Sequence, residues 1–416
     1  MKLALHKQMG LGFVSGGAAG LGCHAFAGDA TWLAGVMTYL TEPVGELFLR
    51  LLFMLVVPLV FSALVMGVVE IGDPKSLGRI GLKTLAWIVV VTGVAVAIGL
   101  TLANWFEPGR GVPREVGEAL LAKASGGGGI AASGAAVSVR EVLLGIVPKN
   151  PVHAAAEGNL LGLMFFAILV GIAATMLESR PVRTFVDFVG GMYEISLKLI
   201  DWVIRLAPWA VAALLFNLTA KLGYEVLLQL GRFVGVVLLA LSIQMFVVLP
   251  LLVWLLGGMG PRRFFRDSQV AIVTALSTSS SSATLPTTLH AAEEKLGVPR
   301  QISRFVCTLG ATANMNGTAI YEGITVLFLA QFFGVHLGFG QEVLILVVCV
   351  LGGIGAAGVP GGSLPVIAMI LGIFGVPPEG LGLILGVDRF LDMGRTALNV
   401  TGDLAGSVVI ARGERA

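Results

Sequence analysis

Residues 388–403 read Asp388-Arg389-Phe390-Leu391-Asp392-Met393-Gly394-Arg395-Thr396-Ala397-Leu398-Asn399-Val400-Thr401-Gly402-Asp403. At about 100° per residue of a helix, Asp388, Asp392, Arg395, Thr396, Asn399 and Asp403 fall within an arc of about 100°. Phe390, Leu391, Ala397, Leu398 and Val400 take the opposite face. The stripe is set in a chain of 416 residues that is 56% hydrophobic and only 12% charged, about half the charged share of a soluble domain. One soluble core could not hide that much apolar surface, whereas a bilayer serves as solvent for an apolar outer face. The chain therefore reads as an all-α polytopic membrane protein. Its five charges in 388–403 would each cost ~2.5–3.5 kcal/mol at the bilayer centre, so they face protein, water, ions or substrate rather than lipid.

Upstream, apolar segments cover about 9–32, 44–71, 79–106, 140–178, 185–220 and 225–258. Pro148 and Pro151 predict that the fourth comes in pieces. A polar stretch from Arg110 to Ser138, with Gly126–Gly129 inside it, reads as a flexible external loop. Basic residues cluster at Lys2/Lys7, Lys75/Arg79, Arg180/Arg183, Arg262/Arg263/Arg266 and Arg412/Arg415. The positive-inside rule puts these ends, and both termini, in the cytoplasm. The N-terminus reads as a first membrane helix rather than a signal peptide, because apolar segments continue for hundreds of residues. The net charge of +2 is too small to suggest nucleic acid. Cys23, Cys307 and Cys349 lie far apart and form neither a metal spacing nor a disulfide framework.

Two interruptions mark the last third. Residues 277–286 read Ser-Thr-Ser-Ser-Ser-Ser-Ala-Thr-Leu-Pro. Backbone broken at membrane depth is tolerated only inside protein or beside a water-filled cavity, so this run predicts a re-entrant hairpin with its tip at Ser279–Ser282. Residues 351–363 read Leu-Gly-Gly-Ile-Gly-Ala-Ala-Gly-Val-Pro-Gly-Gly-Ser, between apolar runs 341–351 and 364–375 that are too short to span singly. They predict a second hairpin. A polar-centred helix is expected after each, with Asn314-Met315-Asn316-Gly317-Thr318 in the first and Asn399-Val400-Thr401-Gly402-Asp403 in the second. Interrupted segments in corresponding positions point to an internal repeat with a binding site at its interface.

The chemistry of the stripe suits a charged ligand. Asp392 can hold an ammonium, and the planar fork of Arg395 suits a carboxylate. Asn399 offers an amide to a second carboxylate, and N–H groups at the hairpin tips attract anions. Asp403, the Asn314 amide and exposed carbonyls supply hard oxygen ligands for a small cation. The alternative is a set of structural ion pairs such as Asp392 with Arg395. A membrane hydrolase is disfavoured, because the serine run lacks a Gly-x-Ser-x-Gly elbow and His290 lies well past it. A channel would also use re-entrant loops, but an ammonium-plus-carboxylate constellation suits binding and release.

At these residues the chain resembles the dicarboxylate/amino acid:cation symporter family, the glutamate transporter homologues. The resemblance covers nearly the whole chain and is most specific in Ser279–Pro286, Asn314–Thr318, Gly358–Gly361 and Asp392–Asp403. It implies eight transmembrane helices plus two re-entrant hairpins in inverted repeats, and a homotrimer in the inner membrane. A scaffold (1–78 and 139–222) would hold a mobile transport domain (79–138 and 223–416) that works by alternating access. It implies a secondary active symporter, not an enzyme, moving aspartate or glutamate with Na+ and/or H+. A C4-dicarboxylate, cystine or a neutral amino acid is the alternative cargo.

The resemblance also implies roles. Ser279, Ser280 and Ser281 at one tip, and Val359, Gly361 and Ser363 at the other, close over the substrate. Asp392 holds the amino group, Arg395 with Thr318 the side-chain carboxylate, and Thr396 and Asn399 lie near the α-carboxylate. Gly310, Asn314, Asn399 and Asp403 match one sodium site; Thr312, Met315, Gly353, Ile354 and Ala356 match a second. A third site matches Thr92 and Gly93, but the family's Asn-Met-Asp-Gly-Thr carries Asn316 here, and a neutral amide is a weaker cation ligand than a carboxylate. Glu322, one helical turn beyond Thr318, is the candidate for a coupled proton, since proton relays in transporters use intramembrane carboxyls.

Overall fold

The computed structural model describes residues 5–27, 30–71, 74–110, 147–156, 160–355, 363–377 and 380–415. Regular structure among the described residues is helical, with no strand. The chain opens with α1 (Leu5–Ala27), α2 (Thr31–Val36), a π-helical turn Met37–Thr41, α3 (Glu42–Met54), α4 (Val56–Ile71) and α5 (Pro74–Phe106). It continues with α6 (Pro151–Ala156), α7 (Leu160–Thr175), α8 (Arg180–Ile204), α9 (Ala207–Leu222) and α10 (Glu225–Ile243), which runs through a π segment, Gln244–Val248, into α11 (Leu249–Leu255). Then come α12 (Pro261–Thr278), α13 (Ser281–His290), a π segment Ala291–Lys295, α14 (Arg300–Ala313), α15 (Asn316–Phe332), α16 (Phe339–Gly355), α17 (Ser363–Ile373) and α18 (Leu381–Arg415). The expected external loop beyond Arg110, and Ala356, Val359 and Gly361 of the second tip, lie outside the described residues.

Among the described residues, two helices are long and apolar enough to cross a membrane, Arg79–Phe106 and Glu225–Leu255. The expected span 185–220 is instead two helices, α8 and α9, bent by 54°. The bend falls just before Pro208, whose missing amide suits a helix start. The expected span 44–71 likewise divides at Leu55, between α3 and α4. Within the 140–178 segment, residues 147–150 are non-helical and α6 starts at Pro151, where the prolines predicted a break; α7 follows from Leu160.

Close packing of α1 on α9 follows from glycine spacing. A Cβ on Gly12, Gly16 or Gly20 would come within 2.3, 2.2 and 2.5 Å of the carbonyl oxygens of Pro208, Ala212 and Phe216. A small residue every fourth position lets two backbones touch, the usual device where lipid gives no hydrophobic drive between helices. Elsewhere, α4 packs on α7 and α8, and α5 lies along α15.

The helix α18 runs through the centre. It packs against α9, α10, α11, α12, α14 and α15, and its side chains from Leu391 to Ser407 are buried, with Met393 and Gly394 half-buried. The apolar face is enclosed as well as the polar stripe: opposite the stripe only Phe390 is exposed. The polar motif Asn314–Thr318 differs from expectation. It does not sit within one helix, because Asn314 (φ −101°, ψ 64°) and Met315 (φ −94°, ψ 56°) leave helical geometry and separate α14 from α15. Its counterpart Asn399–Asp403 is unbroken.

The serine run turns as expected. Ser279 adopts a left-handed conformation (φ 50°), and Ser280 caps α13 by accepting the Ala283 amide at 3.2 Å. The π segment after α13 packs back on α12, so the chain doubles on itself. At its far end, α18 is tied to α5: Glu414 accepts from Arg79 at 2.9 Å and from Lys83 at 2.7 Å. The Arg79 hydrogen bond first, then that of Lys83, holds the Glu414 carboxyl down at about 2, from an ordinary value near 4.5. A depressed carboxyl adds stability above its unfolded value and loses it as pH falls toward the folded one. Glu414→Gln should lower the melting temperature in low-salt detergent by a constant amount from pH 8 to pH 5.5. The gap to wild type should narrow below about pH 4.5 and shrink in high salt, which thermal scans across pH would show.

Candidate substrate and cation site

Arg395 is among the largest fully buried side chains, 1% exposed. An isolated buried guanidinium is untenable, and this one is surrounded. Its Nη2 lies 2.9 Å from Asp388 Oδ1 and 2.8 Å from Asp392 Oδ1. Its Nη1 donates to the Ser363 hydroxyl at 3.1 Å. Its Cζ stands 3.9 Å above the centre of the Tyr321 ring, a cation–π contact strengthened by exclusion of water. Arg389 Nη1 approaches the other oxygen of Asp392 at 3.4 Å. The ion pair named as the alternative reading is therefore present, and it occurs together with the substrate-type constellation. Both carboxylates take the same nitrogen, Nη2, while Nε is buried without a hydrogen-bond partner.

One turn along α18, Asn399 ties the helix to the broken segment. Its Oδ1 accepts from the Gly317 amide at 2.7 Å, and its Nδ2 donates to Thr318 Oγ1 at 3.2 Å, with Met315 Sδ at the same distance. Gly317 is required here, because a Cβ would stand 2.5 Å from the Arg395 carbonyl oxygen. Thr396 is buried on the same helix.

Asp403, 1% exposed, accepts from Asn314 Nδ2 at 2.8 Å. Gly310 lies against it so tightly that a Cβ would reach 2.1 Å from Asp403 Oδ1. The Asn314 Oδ1 is buried without a hydrogen-bond partner. Gly353 faces Met315, with a built Cβ 3.8 Å from the Met315 carbonyl oxygen. Thr312 donates to the Leu309 carbonyl at 3.0 Å. Among the described residues no three His, Cys, Asp or Glu side chains converge as a metal cluster. What meets here is the Asp403 carboxylate and the Asn314 side-chain amide, hard oxygen donors of the kind a small cation takes.

At the third position Thr92 Oγ1 donates to Asn316 Oδ1 at 2.8 Å, and the Asn316 Nδ2 is buried without a partner. Beside them Gln244 Nε2 donates to the Val91 carbonyl at 3.3 Å. Glu322 is fully buried, and neither carboxyl oxygen has a hydrogen-bond partner. Only Gly could occupy position 352 comfortably, since a Cβ there would meet Val366 at 2.6 Å and Glu322 Oε2 at 3.4 Å.

The Ser279 amide bonds Ala275 and the Ser280 hydroxyl bonds Ala283 within their own hairpin, whose helices α12 and α13 pack on α18. Of the second tip, Ser363 reaches Arg395, Val359 and Gly361 lie outside the described residues, and so does the side chain of Ile354. Two residues of the site were not assigned to it from sequence. Asp388 is two turns from Arg395, a spacing that could have signalled the pair. Tyr321 carries no sequence signal, because only the fold stacks α15 on α18.

The profile of the Sodium:dicarboxylate symporter family matches residues 5–413. The chain is 37% identical over 379 residues to the proton/sodium-glutamate symport protein of Bacillus subtilis (strain 168), covering 91% of this chain and 86% of that protein. It is 35% identical over 414 residues to the proton/glutamate-aspartate symporter of Escherichia coli (strain K12), covering 100% and 94%. It is also 35% identical over 378 residues to the C4-dicarboxylate transport protein of Anaeromyxobacter sp. (strain K), covering 90% and 84%. With nearly its whole length matched, the chain belongs to the sodium:dicarboxylate symporter family, multi-pass membrane transporters rather than enzymes.

Proposed function

We propose that this protein is a secondary active symporter for an acidic amino acid, aspartate or glutamate, driven by Na+ and/or H+. The observation that carries the reading is the buried pairing of Arg395 with Asp392 on one helix. An acidic amino acid brings a carboxylate for the guanidinium and an ammonium for the Asp392 carboxylate. A C4-dicarboxylate, the cargo in the name of one relative, would set a carboxylate against Asp392 with no ammonium to offset it.

The working architecture is eight spans and two re-entrant hairpins, in a homotrimer of the inner membrane with both termini in the cytoplasm. Residues 1–78 and 139–222 are the static scaffold, supported by the packing of α1 on α9 and of α4 on α7 and α8. Residues 79–138 and 223–416 are the mobile transport domain, supported by α5 lying along α15 and by α18 at the centre. Arg395 and Thr318 hold the side-chain carboxylate, Asp392 the ammonium, and Thr396 and Asn399 the α-carboxylate. Ser279–Ser281 and Val359–Ser363 close the two sides. Gly310, Asn314, Asn399 and Asp403 take one sodium as co-substrate, and Thr312, Met315, Gly353 and Ile354 another.

Arg395→Cys should abolish high-affinity aspartate and glutamate uptake, by about 100-fold or more in apparent affinity, while admitting neutral amino acids. Retained aspartate uptake in proteoliposomes would sink the assignment.

The amide of Asn316 replaces a charge at the third cation position. Charge-to-substrate ratios from reversal potentials should show fewer coupled sodium ions than in relatives with Asp there. A full sodium complement would refute this.

Glu322 carries the coupled proton. Its carboxyl, buried without a partner, sits on the helix that bears Thr318. Glu322→Gln should leave substrate exchange intact while making net uptake insensitive to an imposed pH gradient. A wild-type protein whose uptake ignores the pH gradient would make Glu322 structural.

A further inference from the structure

At one end of the α1–α9 pair lies a cavity of about 640 Å³, lined among others by His24, Leu33, Ala34, Met37, Glu42 and Lys221. Its walls are pinned. His24 Nδ1 bonds the Ala220 carbonyl at 2.9 Å, and an acceptor carbonyl requires the proton on Nδ1. The Thr41 hydroxyl, at the end of the π-helical turn before α3, donates to Asn217 Oδ1 of α9. Gly223 (φ 67°) makes room for the imidazole, since a Cβ would stand 3.0 Å from its Nε2.

The lining has two characters. Leu33 and Met37 are buried and apolar. Lys221 Nζ and Glu42 Oε1 face each other at 3.1 Å, with 39% and 28% of their side chains exposed. Within two residues along the chain of the lining positions His24, Leu33 and Thr38, the side chains of Phe26, Trp32, Tyr39 and Leu40 are 93%, 56%, 85% and 60% exposed. Exposed Trp and Tyr beside apolar side chains mark the level of a membrane–water interface. One wall thus offers a cation beside an anion, and the surroundings offer a greasy surface at headgroup depth.

We propose that this cavity binds a phospholipid whose head carries a primary ammonium. The lipid phosphate pairs with Lys221 and its ammonium with Glu42, while the acyl chains lie over Phe26 and Trp32. The internal Lys221–Glu42 pair is exchanged for two pairs with the lipid, so no charge is left alone. A primary ammonium is preferred, because its N–H groups add hydrogen bonds to the Glu42 carboxylate while a quaternary choline offers charge alone. A glycerol head leaves Glu42 facing the phosphate's charge without a cation.

The test is native mass spectrometry of the full-length protein, loaded in mild detergent with palmitoyl-oleoyl phosphatidylethanolamine, phosphatidylcholine or phosphatidylglycerol. Phosphatidylethanolamine should be retained in preference to the other two. Lys221→Gln and Glu42→Gln should each weaken retention by about tenfold, the loss expected for a charged hydrogen bond. Ala34→Trp fills the cavity without touching either charge and should abolish retention, with an unchanged melting temperature in lipid-free detergent showing that it folds. Equal retention of all three lipids, or undiminished retention in Ala34→Trp, overturns the proposal. So does loss of the bound lipid to inorganic phosphate alone, or a disulfide between two copies carrying Ala34→Cys, which would make the occupant a second copy.

Discussion

A charge inside a bilayer must be surrounded by protein, and the arrangement of this chain follows from that. Arg395, Asp388, Asp392 and Asp403 are all nearly or fully buried on one helix. To surround them, α18 is enclosed by at least six other helices. The enclosing helices are then set by what they must bring: Tyr321 for the face of the guanidinium, Ser363 for its edge, Asn314 and Gly310 for Asp403. Glycine recurs at these contacts because a side chain at 310, 317 or 402 would strike a functional group on the neighbouring helix.

Much of this was legible in the sequence, for reasons that can be named. A polar stripe in a 56% hydrophobic chain has few physical readings, and the serine interruption announced where α12 stops. Asp392, Arg395, Asn399, Asn314 and Asp403 could be picked out because their chemistry is costly in lipid. Less legible was anything set by distant packing. Tyr321 is an aromatic residue in an apolar helix, and its place over Arg395 depends on how α15 crosses α18. The full enclosure of α18 was missed because Leu391, Ala397, Leu398 and Val400 suit lipid and protein equally well. The division of 185–220 into two helices was also missed, although Pro208 was in view, because hydropathy alone runs across the bend.

The family match and the geometry bear on different questions. Similarity across residues 5–413 says what kind of machine this is, while the side chains say what charges its interior can meet. Asp392 sits 2.8 Å from Arg395, and such a pair is matched by a ligand with both signs of charge. Asn316, hydrogen-bonded to Thr92, satisfies its neighbour without carrying charge, so the interior at that point is built to be neutral by itself.

The helix break at Asn314–Met315 has an electrostatic consequence. The carbonyl end of α14 and the amide end of α15 lie two residues apart, so opposite poles of two helix dipoles meet there, and the Gly317 amide at the second pole is met by Asn399 Oδ1. A cation gathered by the first pole and an anion gathered by the second partly cancel each other's field. Each alone leaves one pole uncompensated in a medium with little water to screen it. Two residues of irregular backbone thus set a cation-favouring pole and an anion-favouring pole side by side.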